Sequence, residues 1–321
     1  MCTAVLNLAA RHSDPGLATS VMRILSSRRQ ALAAYHYEAL IAAYVGFQDF
    51  ETAFRVLTIM AKAGVEPDSS TTRPLYLHLS QKPEYPRKAW KVVANMPDYG
   101  HVVTVAAINV IIESFIATNQ WEEAMETYKK LHTLIPSGPN TDTFDILFQG
   151  CHQKSPKAKH DAMFLASEMG HLGIAPGHLT YDRLIVVCIK EENYEDAFRY
   201  LEEMIEVGKD RVSTESGEKG WWMRRGTSRA LLMHCVHTGD ERAEALFDEM
   251  CKRGLVVRGG RTEDWFLREW GRVKARKEGE RMKRIERMEM EMVPAEDDEI
   301  HLGGNDDMTG KFDRYKGWDV V

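Results

Sequence analysis

The sequence predicts an all-α chain: a right-handed superhelical solenoid of about seven helix-turn-helix repeats, then a charged helix and a flexible acidic tail. Three observations predict it. An alanine is followed seven residues later by methionine or leucine at Ala53/Met60, Ala89/Met96, Ala124/Leu131, Ala162/Met169, Ala197/Met204 and Ala243/Met250. A glycine comes four residues further on in five of these six: Gly64, Gly100, Gly173, Gly208 and Gly254. The alanines are 36, 35, 38, 35 and 46 residues apart, and self-similarity near that period marks stacked units that cannot bury their apolar faces alone.

The chain begins inside the pattern, since Ala18 and Leu25 repeat the seven-residue spacing. The N-terminal MCTAVLNLAA has neither the basic start of a secretory signal nor an arginine- and serine-rich transit segment. The expectation is a partial first unit, with any targeting segment absent from this sequence. The clearest unit is Tyr35–Asp68. Tyr37, Leu40, Ile41 and Tyr44 form one apolar stripe at helical spacing. Asp49 offers a cap before a second stripe of Ala53, Val56, Leu57 and Met60. Gly64 stands where a left-handed residue stops a helix, and Pro67 prevents continuation. The recurring alanine admits close approach of paired helices where a leucine would clash.

The unit between Asp68 and Tyr99 is degenerate, with Pro74, Pro83 and Pro86 expected to interrupt its first helix or turn. Ile108–Asn140, Thr143–Gly177 and Thr180–Gly208 repeat the grammar, the second with about two extra residues around Ser155–Lys159. A polar insert, Lys209–Gly220, has loop composition and accounts for the 46-residue interval before the last unit, about Gly226–Gly254. The repeats are assigned to residues 1–258. Residues 259–293 read as a charged helix with Trp265, Phe266, Leu267 and Trp270 available to cap the last repeat. From Arg261 to Met290 there are ten Lys/Arg against seven Asp/Glu. Residues 294–321 hold eight acids against three bases and read as a disordered acidic tail.

A 44% hydrophobic and 28% charged composition suits a folded, water-soluble chain. The net charge of −6 argues against a uniformly basic nucleic-acid coat while leaving room for a local basic stripe. Five scattered cysteines without a C-x-x-C pair suit reduced thiols better than a disulfide framework. The apolar stretch Val102–Ile112 is about half of the roughly 20 residues a spanning helix needs, so no membrane span is expected.

The units resemble the pentatricopeptide repeat family. The residues that carry the resemblance are Thr180-Tyr-Asp-Arg-Leu-Ile, Thr143-Phe-Asp-Ile-Leu-Phe and His36-Tyr-Glu-Ala-Leu-Ile, the E-x-A-x6-M second helix, and the G-x-x-P-D closure at Gly64–Asp68. The W-x2-L-G-x2-Y string of the related tetratricopeptide repeat is absent. The resemblance implies a groove that binds single-stranded RNA, one base per repeat read by two or three side chains. It places base reading at the polar residue after the aromatic on the first helix and at the last residue of the repeat. Carried over, these are Glu38 with Asp68, Asn109 with Asn140, Asp145 with Gly177, and Asp182 with a partner near Lys209–Arg211, with Thr72 assigned to the degenerate unit. By resemblance, Asn109 with Asn140 favours a pyrimidine. The acidic Glu38, Asp145 and Asp182 depart from the family's usual asparagine, serine or threonine, and carboxylates repel phosphate.

Each candidate also has a plainer reading. Asn109 is an ordinary groove-facing polar residue, and the three carboxylates sit near a helix N-terminus because its N–H groups favour negative charge. Arg183, Lys190 and Arg229 contact phosphates or are solvated surface charges. Trp221 and Trp222 stack on bases or pack at the start of the last hairpin. The run Lys274–Arg287 lies on RNA or an acidic partner, or is a salt-bridged solvated helix. His234, Cys235 and His237 have no second ligand pair for a zinc site. Phosphate-binding loops, H-E-x-x-H and G-x-S-x-G are absent, and the acidic Glu296–Glu299 falls in the expected tail. The expectation is a non-enzymatic protein with no metal, cofactor or small-molecule substrate. By resemblance it is mitochondrial and binds a transcript or ribosomal RNA to aid processing, stability or translation. The alternative is a protein–protein interaction scaffold or assembly factor for a mitochondrial respiratory or ribosomal complex.

Overall fold

The computed structural model describes residues 2–211 and 220–291. The expected acidic tail 294–321, with Glu296–Glu299, and residues 212–219 of the polar insert lie outside the described residues. The chain divides into two units, residues 1–260 and 261–321.

Among the described residues there are helices and no strands. In the first unit fourteen of them form consecutive hairpins: α1 (Cys2–Arg11) with α2 (Pro15–Ser27), α3 (Ala34–Gly46) with α4 (Phe50–Lys62), and α5 (Ser69–Leu79) with α6 (Glu84–Asn95). There follow α7 (Val105–Ala117) with α8 (Trp121–Leu134), α9 (Thr141–Lys154) with α10 (Ala158–His171), α11 (His178–Lys190) with α12 (Tyr194–Gly208), and α13 (Arg225–Thr238) with α14 (Arg242–Lys252). The stretch read as a partial first unit thus contains two paired helices. Each first helix also packs on the first helix of the next hairpin: α1 on α3, α3 on α5, α5 on α7, α7 on α9, α9 on α11 and α11 on α13. The first helices therefore make one continuous row with the second helices against it.

The repeat signature is the core of this row. The six alanines and their methionine or leucine partners are none of them more than 3% exposed. Each buried Met or Leu contributes about 1.5–3 kcal/mol. α4 shows how one element is delimited. Asp49 caps it by accepting from Thr52 N at 3.0 Å, and the chain leaves through Gly64 at φ 74°. Gly208 differs from the other repeat glycines. It is the last residue of α12 with ordinary helical geometry, and Trp221 lies where its Cβ would be, so close packing rather than a left-handed stop requires glycine there.

Pro74 does not interrupt its helix as expected. It sits inside α5, whose start is fixed by a capping box: Asp68 accepts from Thr71 N at 2.8 Å, and Asp68 N donates to Thr71 Oγ1. The missing N–H of Pro74 forgoes a single bond to the carbonyl of Ser70, an exposed residue. Pro83 and Pro86 lie at the start of α6, where a proline is tolerated.

In the second unit, α15 (Arg261–Glu291) carries Phe266 stacked on Trp270 at 6.2 Å. Both rings are buried whereas Leu267 is exposed, as i, i+4 spacing on a helix dictates.

Candidate functional site

The first helices share one register. Their N-caps are Ala33, Asp68, Thr104, Asn140, Gly177 and Arg224. The fifth residue beyond each cap is Glu38, Arg73, Asn109, Asp145, Asp182 and Arg229. All four first-helix candidates (Glu38, Asn109, Asp145 and Asp182) occupy this position, and Asp68, Asn140 and Gly177 are the caps that open the following hairpin. Two assignments change. In α5 the position belongs to exposed Arg73, because Thr72 turns its hydroxyl back onto the Asp68 carbonyl at 3.2 Å. The cap that follows Asp182 is Arg224, not a residue of 209–211, because α13 begins only after the insert.

The register joins neighbouring hairpins. Asn109 donates from Nδ2 to Asn140 Oδ1 at 3.3 Å and accepts from the Thr143 hydroxyl at 2.8 Å. Asp145 accepts from the Thr180 hydroxyl at 2.8 Å, and Asp182 accepts from the backbone N–H of Arg224 at 2.9 Å. Asn109, Asp145 and Asp182 are 7%, 9% and 3% exposed, so these bonds replace water rather than compete with it. Asp145 and Asp182 do sit at a helix N-terminus, but at that of the next hairpin. Glu38 is half-buried.

An open cavity of about 480 Å³ runs over α5, α7, α9 and α11 and gathers Asp68, Thr72, Asn109, Glu113, Asp142, Asp145, Gln149 and Arg183, with Glu66 at its rim. It holds five carboxylates and one guanidinium. Burial pushes the Glu113 and Asp145 carboxyls up, with Arg183 pulling each back and Thr180 helping at Asp145. Burial lowers the Arg183 guanidinium, against the pull of Asp145. At Asp68 burial pushes up too, but bonds from the Thr71 side chain and backbone and from Ser70 outweigh it and hold the carboxyl down. The surface offers hydrogen-bond acceptors to the amino groups of bases or to basic side chains, and it repels phosphate.

Arg183 and Lys190 are not free surface charges. Arg183 lies 3.7 Å from Asp145 and donates to Gln149 Oε1 at 2.9 Å, while Lys190 donates to the His152 carbonyl at 2.9 Å, so both tie α11 to α9. Trp221 is buried against Gly208, with the Arg211 guanidinium 4.9 Å over its ring. Sequence reasoning missed Glu113 and Arg73. Glu113 lies one turn beyond Asn109, a signal that was present; the degenerate unit lacks the aromatic that marks Arg73. Among the described residues no group of three His, Cys, Asp or Glu side chains is placed to hold a metal, and no helix is long and apolar enough to cross a membrane.

A family model described as "Pentatricopeptide repeat-containing protein" matches residues 1–131, and a second, "PPR repeat", matches residues 179–208; together they span half of the chain. No curated protein matches. Among solved structures, the pentatricopeptide repeat protein PPR10 from maize is similar at 18% identity and a TM-score of 0.42, over 85% of this chain and 39% of that one. PPR10 in complex with an 18-nt psaJ RNA element is similar at 16% identity and a TM-score of 0.42, over 76% of this chain and 38% of that one. The chain thus spans under two fifths of the solved proteins it matches.

Proposed function

The chain belongs to the pentatricopeptide repeat family, and from that premise we propose that it is a non-enzymatic binder of single-stranded RNA in mitochondrial gene expression, aiding the processing, stability or translation of a transcript or ribosomal RNA. The observation that carries the reading is the shared register: one polar or charged side chain per hairpin, at the same place in six successive first helices, along a single row. Such a row suits one base per repeat. Asn109 and Asn140, already bonded to each other, form the pair best suited to a base edge, since their amides both donate and accept. Phosphate attraction comes from elsewhere in this reading. Arg276, Arg281, Lys283, Arg284 and Arg287 on α15 are exposed and form no ion pair among the described residues. The mitochondrial setting rests on family resemblance alone, and subcellular fractionation of the tagged protein tests it.

Affinity for single-stranded RNA at several salt concentrations tests the rest. Binding with a negative salt slope, weakened by Asn109→Ala, is the expected result. Affinity no tighter than that of a charge-matched control, with no slope, discards it. One observation favours a second reading, a scaffold that seats a protein partner: the five carboxylates against one guanidinium in the first-helix cavity suit a lysine- or arginine-rich segment. Co-purification with and without nuclease separates the two, since partners that survive RNA digestion favour the scaffold.

A further inference from the structure

At the opposite end of α5 from Asp68 lies a second cavity, of about 220 Å³, between α4, α5 and α6. About 15 Å of helix separates its His78 from the Asp68 cap, and about 8 Å separates it from Arg73 of the first-helix register. Leu79, Ala89 and Val92 give it an apolar floor. Phe50, His78 and Tyr85 line its walls, with Phe50 4.7 Å from His78 and His78 stacked on Tyr85 at 4.9 Å and 5°. Burial lowers the His78 pKa, which favours the neutral imidazole at physiological pH. Two ammonium groups stand over the Tyr85 ring, Lys82 Nζ at 5.5 Å and Lys88 Nζ at 5.7 Å. Both lysines are exposed, and neither forms an ion pair among the described residues, whereas their neighbour Arg87 is held by Glu123. Gln48, an exposed residue with φ 66°, also lines the cavity.

We propose that this cavity is a binding site for a single nucleotide unit. The base enters against the aromatic walls, its edge meets the Gln48 amide, and its phosphate lies on Lys82 and Lys88. The three chemistries required are an apolar floor beside aromatic rings, an amide that both donates and accepts, and cations outside any ion pair among the described residues. An aliphatic ligand leaves the cations unused, and a bare anion leaves the aromatic walls unused. The same chemistry serves a free mononucleotide or one nucleotide of a longer RNA. The site is distinct from the first-helix row and does not depend on that row reading bases.

NMR titration of the full chain with uridine and adenosine monophosphates, beside titration with a single-stranded oligonucleotide, tests the proposal. The variants are Tyr85→Leu and the surface pair Lys82→Gln/Lys88→Gln, each checked for unchanged helicity, with Asn109→Ala as the first-helix control. Loss of an aromatic stacking partner weakens nucleotide binding roughly five- to a hundred-fold. Weakening of both mononucleotide and oligonucleotide supports a pocket that takes a base of RNA, and weakening of the mononucleotide alone supports a free-nucleotide site. An oligonucleotide that responds to Asn109→Ala but not to Tyr85→Leu, with no mononucleotide binding, overturns this inference and leaves the RNA reading standing. Mononucleotide binding without any oligonucleotide binding does the reverse. A polyglutamate peptide bound as well as nucleotide, sensitive to the lysines and indifferent to Tyr85, makes the site a plain anion patch and also overturns it.

Discussion

Asn109 spans two hairpins, giving one hydrogen bond to Asn140 and receiving one from Thr143. Asn109→Ala leaves the buried Thr143 hydroxyl short of a bond and should cost about 1–3 kcal/mol, read as a lower urea midpoint with an unchanged slope. Glu113 makes a pH-dependent prediction. Burial holds its carboxyl above the ordinary 4.5, so the folded chain binds that proton more tightly than the unfolded chain does. The stability it contributes is present below 4.5 and is lost as pH rises through the raised folded value. Glu113→Gln should therefore raise the Tm at pH 7.5 and leave it nearly unchanged at pH 4 in thermal scans; equal shifts at both would refute the assignment. Asn109 and Asn140 were legible because each occupies a fixed place in a repeated string. Glu113 was not, and Arg183 was legible only as a cation, because their importance comes from carboxylates and a guanidinium that three different helices bring to one cavity.

At the scale of helices, small residues set how closely neighbours approach. Gly150 on α9 faces Trp121 and Ile116, whose side chains occupy the space of an added Cβ. Gly150→Ala should destabilise the fold by about 1–3 kcal/mol despite its better helix propensity, measurable by chemical denaturation. Cys151, Cys188 and Cys235 each lie eleven residues beyond their helix cap, fully buried on α9, α11 and α13. Burial raises all three thiols, Cys188 to about 11 and Cys235 to about 12. A thiol reagent at neutral pH should modify only the half-buried Cys2 and Cys251 in the native chain and reach the other three on unfolding, as peptide mass mapping would show. The hairpins were legible because burial forces the same alanine and methionine spacing on every second helix. The tolerance of Pro74 was not, since it depends on a cap and on the exposure of Ser70. Nor was the packing role of Gly208, which depends on a tryptophan beyond an insert.

Over the molecule as a whole, the proposed RNA reading assigns phosphate contact to the exposed cations of α15. Replacing Arg276, Lys283, Arg284 and Arg287 with glutamine should reduce the salt slope of single-stranded RNA binding by about 0.7 per lost phosphate contact, near 3 in all. An unchanged slope, from filter binding across a salt series, removes α15 from the interface. The repeat period and the α15 charge bias were visible in the residues, but the sign of the cavity was not, because it is the sum of side chains from four hairpins. The threonine, asparagine and aspartate bonds between successive first helices also constrain any redesign. Asn109, Asp145 and Asp182, offered for reading a base, are the same side chains that lock a hairpin to its successor. Retuning one repeat toward a new letter would loosen its joint, so altered recognition and weakened cohesion should be inherited together unless the following cap is exchanged with it.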